Sequence, residues 1–315
     1  MNTKPFPLIL LTLILAQTLA ARSTRDWTDQ EIFAKSHLVI IARAIATKDT
    51  VERSTLPNIE PLTKVVGVET TFQTCAVLKG VSITPDVRLH YYRLDEREST
   101  NGAMLVEIPP DKPHIYLLFL IKERDGRYAP ATGPTDPAAQ SVLRLRGATG
   151  PRIDAPEPTV HIDRITAAPP VATHSGKEWT YPEMIEKADL VVIGEWSATK
   201  EIDERSELPG SAPRVKVIGV TTEFEASLVL KGPKNVKKFG LHHYKFQYED
   251  DAIRPYAPQL VRILEPVHRD GVDYPGGGRF LLFLSKEEAS GSYAPVTGQR
   301  NPAVQSVLNL AEAVD

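Results

Sequence analysis

Two stretches of this chain decide how it is read: Lys64-Val-Val-Gly-Val-Glu-Thr-Thr-Phe-Gln-Thr-Cys-Ala-Val-Leu-Lys-Gly80 and Lys216-Val-Ile-Gly-Val-Thr-Thr-Glu-Phe-Glu-Ala-Ser-Leu-Val-Leu-Lys-Gly232. In the second, Ile218, Val220, Thr222, Phe224, Ala226, Leu228 and Leu230 fall on one face, with Glu223, Glu225 and Ser227 on the other. In the first, Val66, Val68, Thr70, Phe72, Thr74, Ala76 and Leu78 form the equivalent row. A period of two sustained this long predicts a half-buried antiparallel strand. Gly67 and Gly219 interrupt it. A glycine inside such a strand marks a bulge or a sharp coil, the device by which a small sheet closes on itself.

The two stretches belong to a longer internal repeat. The offset of 152 residues from Lys64 to Lys216 also superposes Trp27 on Trp179, Leu38 on Leu190, Arg53-Ser54 on Arg205-Ser206, and Leu89-His90 on Leu241-His242. The offset then grows to 164, where Leu117-Leu-Phe-Leu120 meets Leu281-Leu-Phe-Leu284, so the second copy carries 12 extra residues. Tyr128-Ala-Pro and Gln140-Ser-Val-Leu recur as Tyr293-Ala-Pro and Gln305-Ser-Val-Leu. Self-similarity of this kind predicts one unit written twice, at residues 26–146 and 178–311. Residues 147–177 between them carry Pro151, Pro156, Pro158, Pro169 and Pro170 with little apolar periodicity, which reads as an extended linker. Each copy is expected to close around its own apolar interior.

Each unit opens on a capping-box pattern, Thr28-Asp-Gln-Glu31 or Thr180-Tyr-Pro-Glu183, which predicts a short helix ending near Ser36 or Lys187. Strands are expected at Leu38 to Ala46, Val87 to Arg93, His114 to Ile121 and Tyr128 to Thr132, and at their counterparts. The last element, Gln140 to Leu145, reads equally as helix or strand. The fold class implied is mainly β: two tandem OB-like closed β-barrels, each with a short N-terminal helix, with a seven-stranded sandwich as the alternative.

The order short helix, Ala188-Asp-Leu-Val-Val-Ile-Gly194, loop, long alternating strand, Leu-Lys-Gly resembles the netrin-module and tissue-inhibitor-of-metalloproteinase (TIMP) group of OB barrels. Residues 188–194 and 228–232 carry the resemblance best, echoed by His37 to Ile41 and Val77 to Gly80. It implies the fold alone. Those families are typically cross-linked by disulfides, and the inhibitors place an N-terminal cysteine on their target's zinc. This chain has one cysteine, Cys75, far from its start.

Composition and the N-terminus set the class. With 37 basic and 40 acidic side chains the formal charge is −3, which supplies no basic field for holding nucleic acid. Lys4, the apolar run Pro7 to Leu15, and the small residues Thr18 and Ala20 follow the layout of a secretory signal peptide over residues 1–20. A secreted or periplasmic address follows as an expectation, with no transmembrane segment after the signal peptide.

Signatures of catalysis are missing. No Gly-x-Ser-x-Gly elbow occurs, and Gly276-Gly-Gly278 precedes Arg-Phe-Leu rather than a phosphate-binding helix. Cys75 reads as an inert strand cysteine. His90 and His242 are equivalent and are weak metal candidates: each unit offers one shared strand histidine and no shared cysteine, where a metal site usually takes three or four ligands. The longer loop of the second copy holds Tyr248, Asp250, Asp251, Tyr256, Asp270, Asp273 and Tyr274, a mix of aromatics and carboxylates suited to contacting a protein or glycan. The reading that emerges is a secreted, non-enzymatic binding or envelope-associated protein without a cofactor, whose partner is an extracellular or periplasmic macromolecule. An extracellular hydrolase or protease inhibitor, and a metal carrier, are the alternatives.

Overall fold

A computed structural model describes residues 26–56, 63–82, 84–95, 103–109, 114–146, 179–207, 216–247, 260, 263, 267–269, 272–274, 278–288, 290–298 and 303–314. The expected signal segment and linker lie outside these residues. The protein is mainly β. Its strands are β1 (Leu38–Thr55), β2 (Lys64–Lys79), β3 (Asp86–Leu94), β4 (Ile115–Lys122), β5 (Tyr128–Pro130) and β6 (Val142–Arg146) in the first half. In the second they are β7 (Leu190–Glu207), β8 (Lys216–Lys231), β9 (Lys238–Phe246), β10 (Val267–Arg269), β11 (Val272–Tyr274), β12 (Arg279–Lys286), β13 (Tyr293–Pro295) and β14 (Val307–Glu312). Two short helices, α1 (Asp29–Lys35) and α2 (Tyr181–Lys187), precede β1 and β7.

The helices form because their ends are satisfied. Thr28 Oγ1 accepts from Glu31 N–H at 3.2 Å, and Glu31 Oε2 accepts from Thr28 N–H at 3.0 Å. Thr180 and Glu183 make the same box around α2. At the other end Lys79 Nζ donates to the carbonyls of Phe33 and Ala34, and Lys231 Nζ to those of Ile185 and Glu186. A cation on the last carbonyls complements the helix dipole. The glycine that follows is required. Gly80 has φ +83° and Gly232 φ +105°, and a Cβ there would stand 2.4 Å from His37 O or 2.5 Å from Asp189 O. The Leu-Lys-Gly motif is thus a clamp between strand end and helix end.

Twelve strands form one sheet in the order β1-β2-β3-β5-β4-β6-β14-β12-β13-β9-β8-β7, with β10 and β11 paired apart from it. Further pairings of β1 with β4 and β7 with β12 bend the sheet back on itself. In each half all links round this partial ring are antiparallel except one parallel contact, Leu89 with Tyr128 or Leu241 with Tyr293. Inside the first ring lie Leu38, Ile40, Val68, Phe72, Leu89, Tyr91, Tyr116 and Leu118. Inside the second lie Leu190, Val192, Phe224, Phe239, Leu241, Phe280 and Leu282.

The structure extends one expectation, resolves one open reading and corrects a third. First, β1 and β7 run well past Ala46 and Ala198, each for 18 residues. A mid-strand bulge breaks their alternation, so polar residues of both faces read as loop. Second, Gln140 to Leu145 is both elements: a 3-10 turn at Ala138–Ser141, then β6. Third, the halves do not stand apart: besides the two ring interiors they share a seam. β6 pairs with β14, Leu145 opposite Leu310 and Leu143 opposite Glu312. A third cluster takes Ile41, Leu117, Phe119, Leu143 and Leu145 from one half and Met184, Ile193, Leu281, Phe283 and Leu310 from the other. The long strands reach it because their bulges turn the C-terminal residues away from the ring, so that Ala76, Leu228 and Leu230 face the seam instead.

Asp29 and Tyr181, at equivalent helix positions, meet the seam differently. Asp29 is buried, accepts from Ser227 Oγ at 2.6 Å and pairs with Arg279. Tyr181 packs in the shared cluster beside Cys75, the counterpart of Ser227. Burial pushes the Cys75 thiol up from its ordinary range, with Arg43 opposing, which favours the protonated thiol.

Candidate functional site

Most repeated residues have a structural task. Gln140 Oε1 accepts from Trp27 N–H at 3.2 Å, and Gln305 Oε1 from Trp179 N–H at 3.1 Å. The Ser141 and Ser306 hydroxyls accept from the N–H groups of Thr132 and Thr297 at 3.0 and 3.1 Å. Among the described residues, an equivalent cluster in each half joins a strand histidine to two glutamates and a tyrosine.

The first cluster is built on a bulge. β1 pairs Asp49 with Val68 and then Arg53 with Val66, so Thr50, Val51 and Glu52 all stand opposite Gly67. A Cβ on Gly67 would lie 2.5 Å from Thr50 Oγ1 and 2.9 Å from Glu52 Cβ. The missing side chain lets Glu52 fold over the neighbouring strand. There it meets His90 and Tyr92 of β3, the latter being the register partner of Gly67. In β7 the pairs Glu201 with Val220 and Arg205 with Ile218 leave Ile202, Asp203 and Glu204 opposite Gly219. A Cβ there would lie 2.9 Å from Glu204 Cβ.

His90 is 4 % exposed. Its Nδ1 is 3.1 Å from Glu123 Oε2 and its Nε2 is 3.0 Å from Glu52 Oε2. The second contact lies off the N–H direction, so it is an ion-pair approach and not a directed hydrogen bond. The Tyr92 hydroxyl donates to Glu52 at 3.1 Å, its ring centroid 5.1 Å from that of His90. Arg127 completes the group: Nη1 donates to Glu52 Oε1 at 3.1 Å and Nε to Asp125 Oδ2 at 2.6 Å. In the second half His242 Nδ1 is 3.2 Å from Glu287 Oε2 and Nε2 is 3.1 Å from Glu204 Oε2, and the Tyr244 hydroxyl donates to Glu204.

Burial works against the charge of Glu52, but His90, Arg127 and Tyr92 more than offset it and hold its carboxyl below the usual range. The Tyr92 hydroxyl is pushed up, by burial first and then by its bond to Glu52. Each cluster ties the β1 or β7 bulge, the third strand and the turn after β4 or β12 together, beside the one-contact parallel link of the ring. Both nitrogens of each imidazole face a carboxylate.

Gly67→Ala is expected to lower stability by about 1–3 kcal/mol, since the bulge must shift to admit a methyl group. Gly219→Ala should cost a similar amount. Urea unfolding of each variant checks this, and an unchanged midpoint would mean that the bulges tolerate a side chain.

His90 and His242, singled out from sequence, sit at the centres of these clusters. The carboxylates flank the rings on opposite nitrogens and do not converge on one point, and among the described residues no group of three or more His, Cys, Asp or Glu could hold a metal ion. Tyr248, Asp250, Asp251, Tyr256 and Asp270 lie outside the described residues. Asp273 and Tyr274 are on β11, paired with His268 and Val267 of β10, away from the main sheet. Sequence reasoning missed Glu52, Glu123, Arg127, Glu204 and Glu287. The repeat held the signal: Glu52 maps to Glu204 at the 152-residue offset and Glu123 to Glu287 at the 164-residue offset.

Among the described residues no helix is long and apolar enough to cross a membrane. The chain matches no protein-family model and no curated relative.

Proposed function

We propose that this is an exported, non-enzymatic binding protein made of two OB-like barrels from one duplicated cassette, fused along a seam into a single platform. The observation that carries the reading is the pair of equivalent Glu-His-Glu-Tyr clusters, each displayed on a strand ring with half-exposed carboxylates. The ring order β1-β2-β3-β5-β4 with one parallel link supports the OB-like part. The matching helix boxes, glycine-opposed bulges and lysine clamps support the duplication. The signal-like start supports export. The seam-facing position of Cys75, where burial favours the protonated thiol, supports binding over catalysis. The resemblance to the netrin and TIMP group enters only at the level of the barrel.

Expression of the full chain in an exporting host tests this. The exported protein is expected to begin at Ala21 and to retain a polypeptide or glycan partner from the exported fraction. The double variant Glu52→Gln/Glu204→Gln should lose that retention. An exported protein that instead turns over peptide or glycan substrates would overturn the non-enzymatic reading.

A further inference from the structure

We propose that the seam is a homodimer-type interface held inside one chain, in which each half occupies the place of a second copy of the same unit. The inference rests on the duplication within the reading above and adds how the two copies recognise one another. A contact between two copies of one unit is isologous: where residue i meets residue j, j also meets i. At the closing offset of 165 residues Leu145 is the counterpart of Leu310, Arg144 of Asn309 and Arg146 of Ala311. In the ladder from β6 to β14, Leu145 stands opposite Leu310, its own counterpart, which puts a two-fold axis on that pair. Arg144 stands opposite Ala311 and Arg146 opposite Asn309, so the pairing repeats with the halves exchanged. The helices follow the same rule at a distance from the axis: α1 packs on β8, and α2 packs on β2. The apolar cluster between them draws counterparts in pairs, Ile41 with Ile193, Leu117 with Leu281 and Phe119 with Phe283. An unrelated docking of two barrels would bring different faces together. Here ladder, helices and core present the same patch from both sides.

Polar residues distinguish the two sites that the axis relates. On one side Asp29 of α1 accepts from Ser227 Oγ and pairs with Arg279. On the other side their counterparts are Tyr181 of α2, Cys75 and Ile115, all in the shared cluster. Arg43 stands opposite Ile115 in register, and Glu195 opposite Arg279. Each site thus has an arginine at one of two paired positions, on β1 at one site and on β12, the equivalent of β4, at the other. Burial raises the Tyr181 hydroxyl, with Cys75 adding to the effect and Arg43 opposing it, as a ring seated between them should behave. Two second halves meeting in this geometry would seat Tyr181 where Asp29 now answers Arg279. Two first halves would set Asp29 against Ile115. The substitutions fit unlike halves to each other and leave the two-fold frame in place.

The two-fold makes the sites interchangeable, which full-length variants test by thermal unfolding. Arg43→Glu/Cys75→Ser/Tyr181→Asp buries a carboxylate in the apolar site without its arginine and should melt about 10 °C below wild type. Adding Ile115→Arg supplies the guanidinium only if position 115 stands to 181 as 279 stands to 29. It should recover about half of the loss. The opposite transfer, Asp29→Tyr/Glu195→Arg/Ser227→Cys/Arg279→Ile, copies the apolar site across the axis and should melt within about 5 °C of wild type. Asp29→Tyr alone, which strands Arg279, should melt lower than that complete set. The increment from Ile115→Arg decides the question, and where its background variant does not fold, the comparison of the complete set with Asp29→Tyr decides it. An added Ile115→Arg that lowers the melting temperature, or a complete set that melts no higher than Asp29→Tyr, overturns the proposal. Either result leaves the sequence repeat and partner retention by the exported protein as they stand, so the two-fold interface falls without the binding-protein reading.

Discussion

A single cut in the segment joining the halves is expected to leave them bound to each other. A specific protease site inserted after Gly150 provides the cut. The expectation reverses what a proline-rich connection between two self-sufficient barrels would give, which is two independent pieces. The reason is the seam. Leu117, Phe119, Leu281 and Phe283 are fully buried in a cluster that takes side chains from both halves. Each is worth roughly 1.5–3 kcal/mol when removed from water. The ladder from β6 to β14 adds backbone hydrogen bonds, and the ion pair of Asp29 with Arg279 adds a charge contact across the boundary. With the rest of the shared cluster, these stand against a docking cost of roughly 4–15 kcal/mol. Native mass spectrometry of the cut protein at micromolar concentration should show one non-covalent complex of both fragments. Fragments that separate without unfolding would return the molecule to two tethered modules. Leu145→Asp in the cut protein should drive separation, because it buries an unpaired carboxylate opposite Leu310.

The seam was the part of the fold least legible from sequence. Capping boxes, the alternating strands and the offset between copies are local or pairwise signals, and they placed α1, α2, β2, β8 and most other strands. The glycines were also read in the right sense, although the bulge each one allows sits on the strand opposite. β6 is only five residues long, Val-Leu-Arg-Leu-Arg, and a pattern that short fits helix or strand. Nothing in it says that, besides β4 of its own half, it pairs with β14 of the other. The leucines of β4 and β12 are apolar on both faces because one face fills the ring and the other fills the seam. Such a two-sided run reads simply as a buried strand.

The cluster residues were hidden for a different reason. Glu52 sits in Val-Glu-Arg-Ser and Glu204 in Asp-Glu-Arg-Ser, stretches whose charge density reads as solvated loop. Only the bulge brings them over His90 and His242. A glutamate 38 residues from a histidine carries no local signal of contact, and the offset between copies is the one sequence feature that marks it.

Acidification is expected to remove about 3 kcal/mol of stability between pH 6.5 and pH 4 through one residue, His243. It follows His242 on β9 and faces the interior, 4 % exposed, with Nε2 2.8 Å from Thr222 Oγ1. Its Nδ1 is buried with no hydrogen-bond partner among the described residues. In the first half the same station holds Tyr91, whose hydroxyl meets Thr70 at 3.1 Å. Burial pushes the His243 imidazole down to about 4 from an ordinary 6.5, with His242 and Lys245 adding to the effect and the nearby Tyr244 backbone opposing it. The folded pKa is therefore depressed for a base. Above pH 6.5 neither state binds the proton and His243 contributes nothing. Below it the unfolded chain takes up a proton that the folded chain refuses until about pH 4. Stability falls by about 1.4 kcal/mol per pH unit across that window and levels off beneath it. The lowered carboxyls of Glu52 and Asp49 act in a lower window, since their stabilisation is lost only as pH falls below the ordinary carboxylate range. Glu312, raised by burial, works the opposite way, because acid relieves its penalty. All three are common to wild type and variant, so the difference between His243→Gln and wild type isolates the imidazole. Urea unfolding at pH 7.5 and pH 4.5 should show the variant losing about 3 kcal/mol less than wild type over that interval. Equal losses would mean that His243 takes up its proton inside the folded ring as readily as outside it, and that its burial carries no penalty.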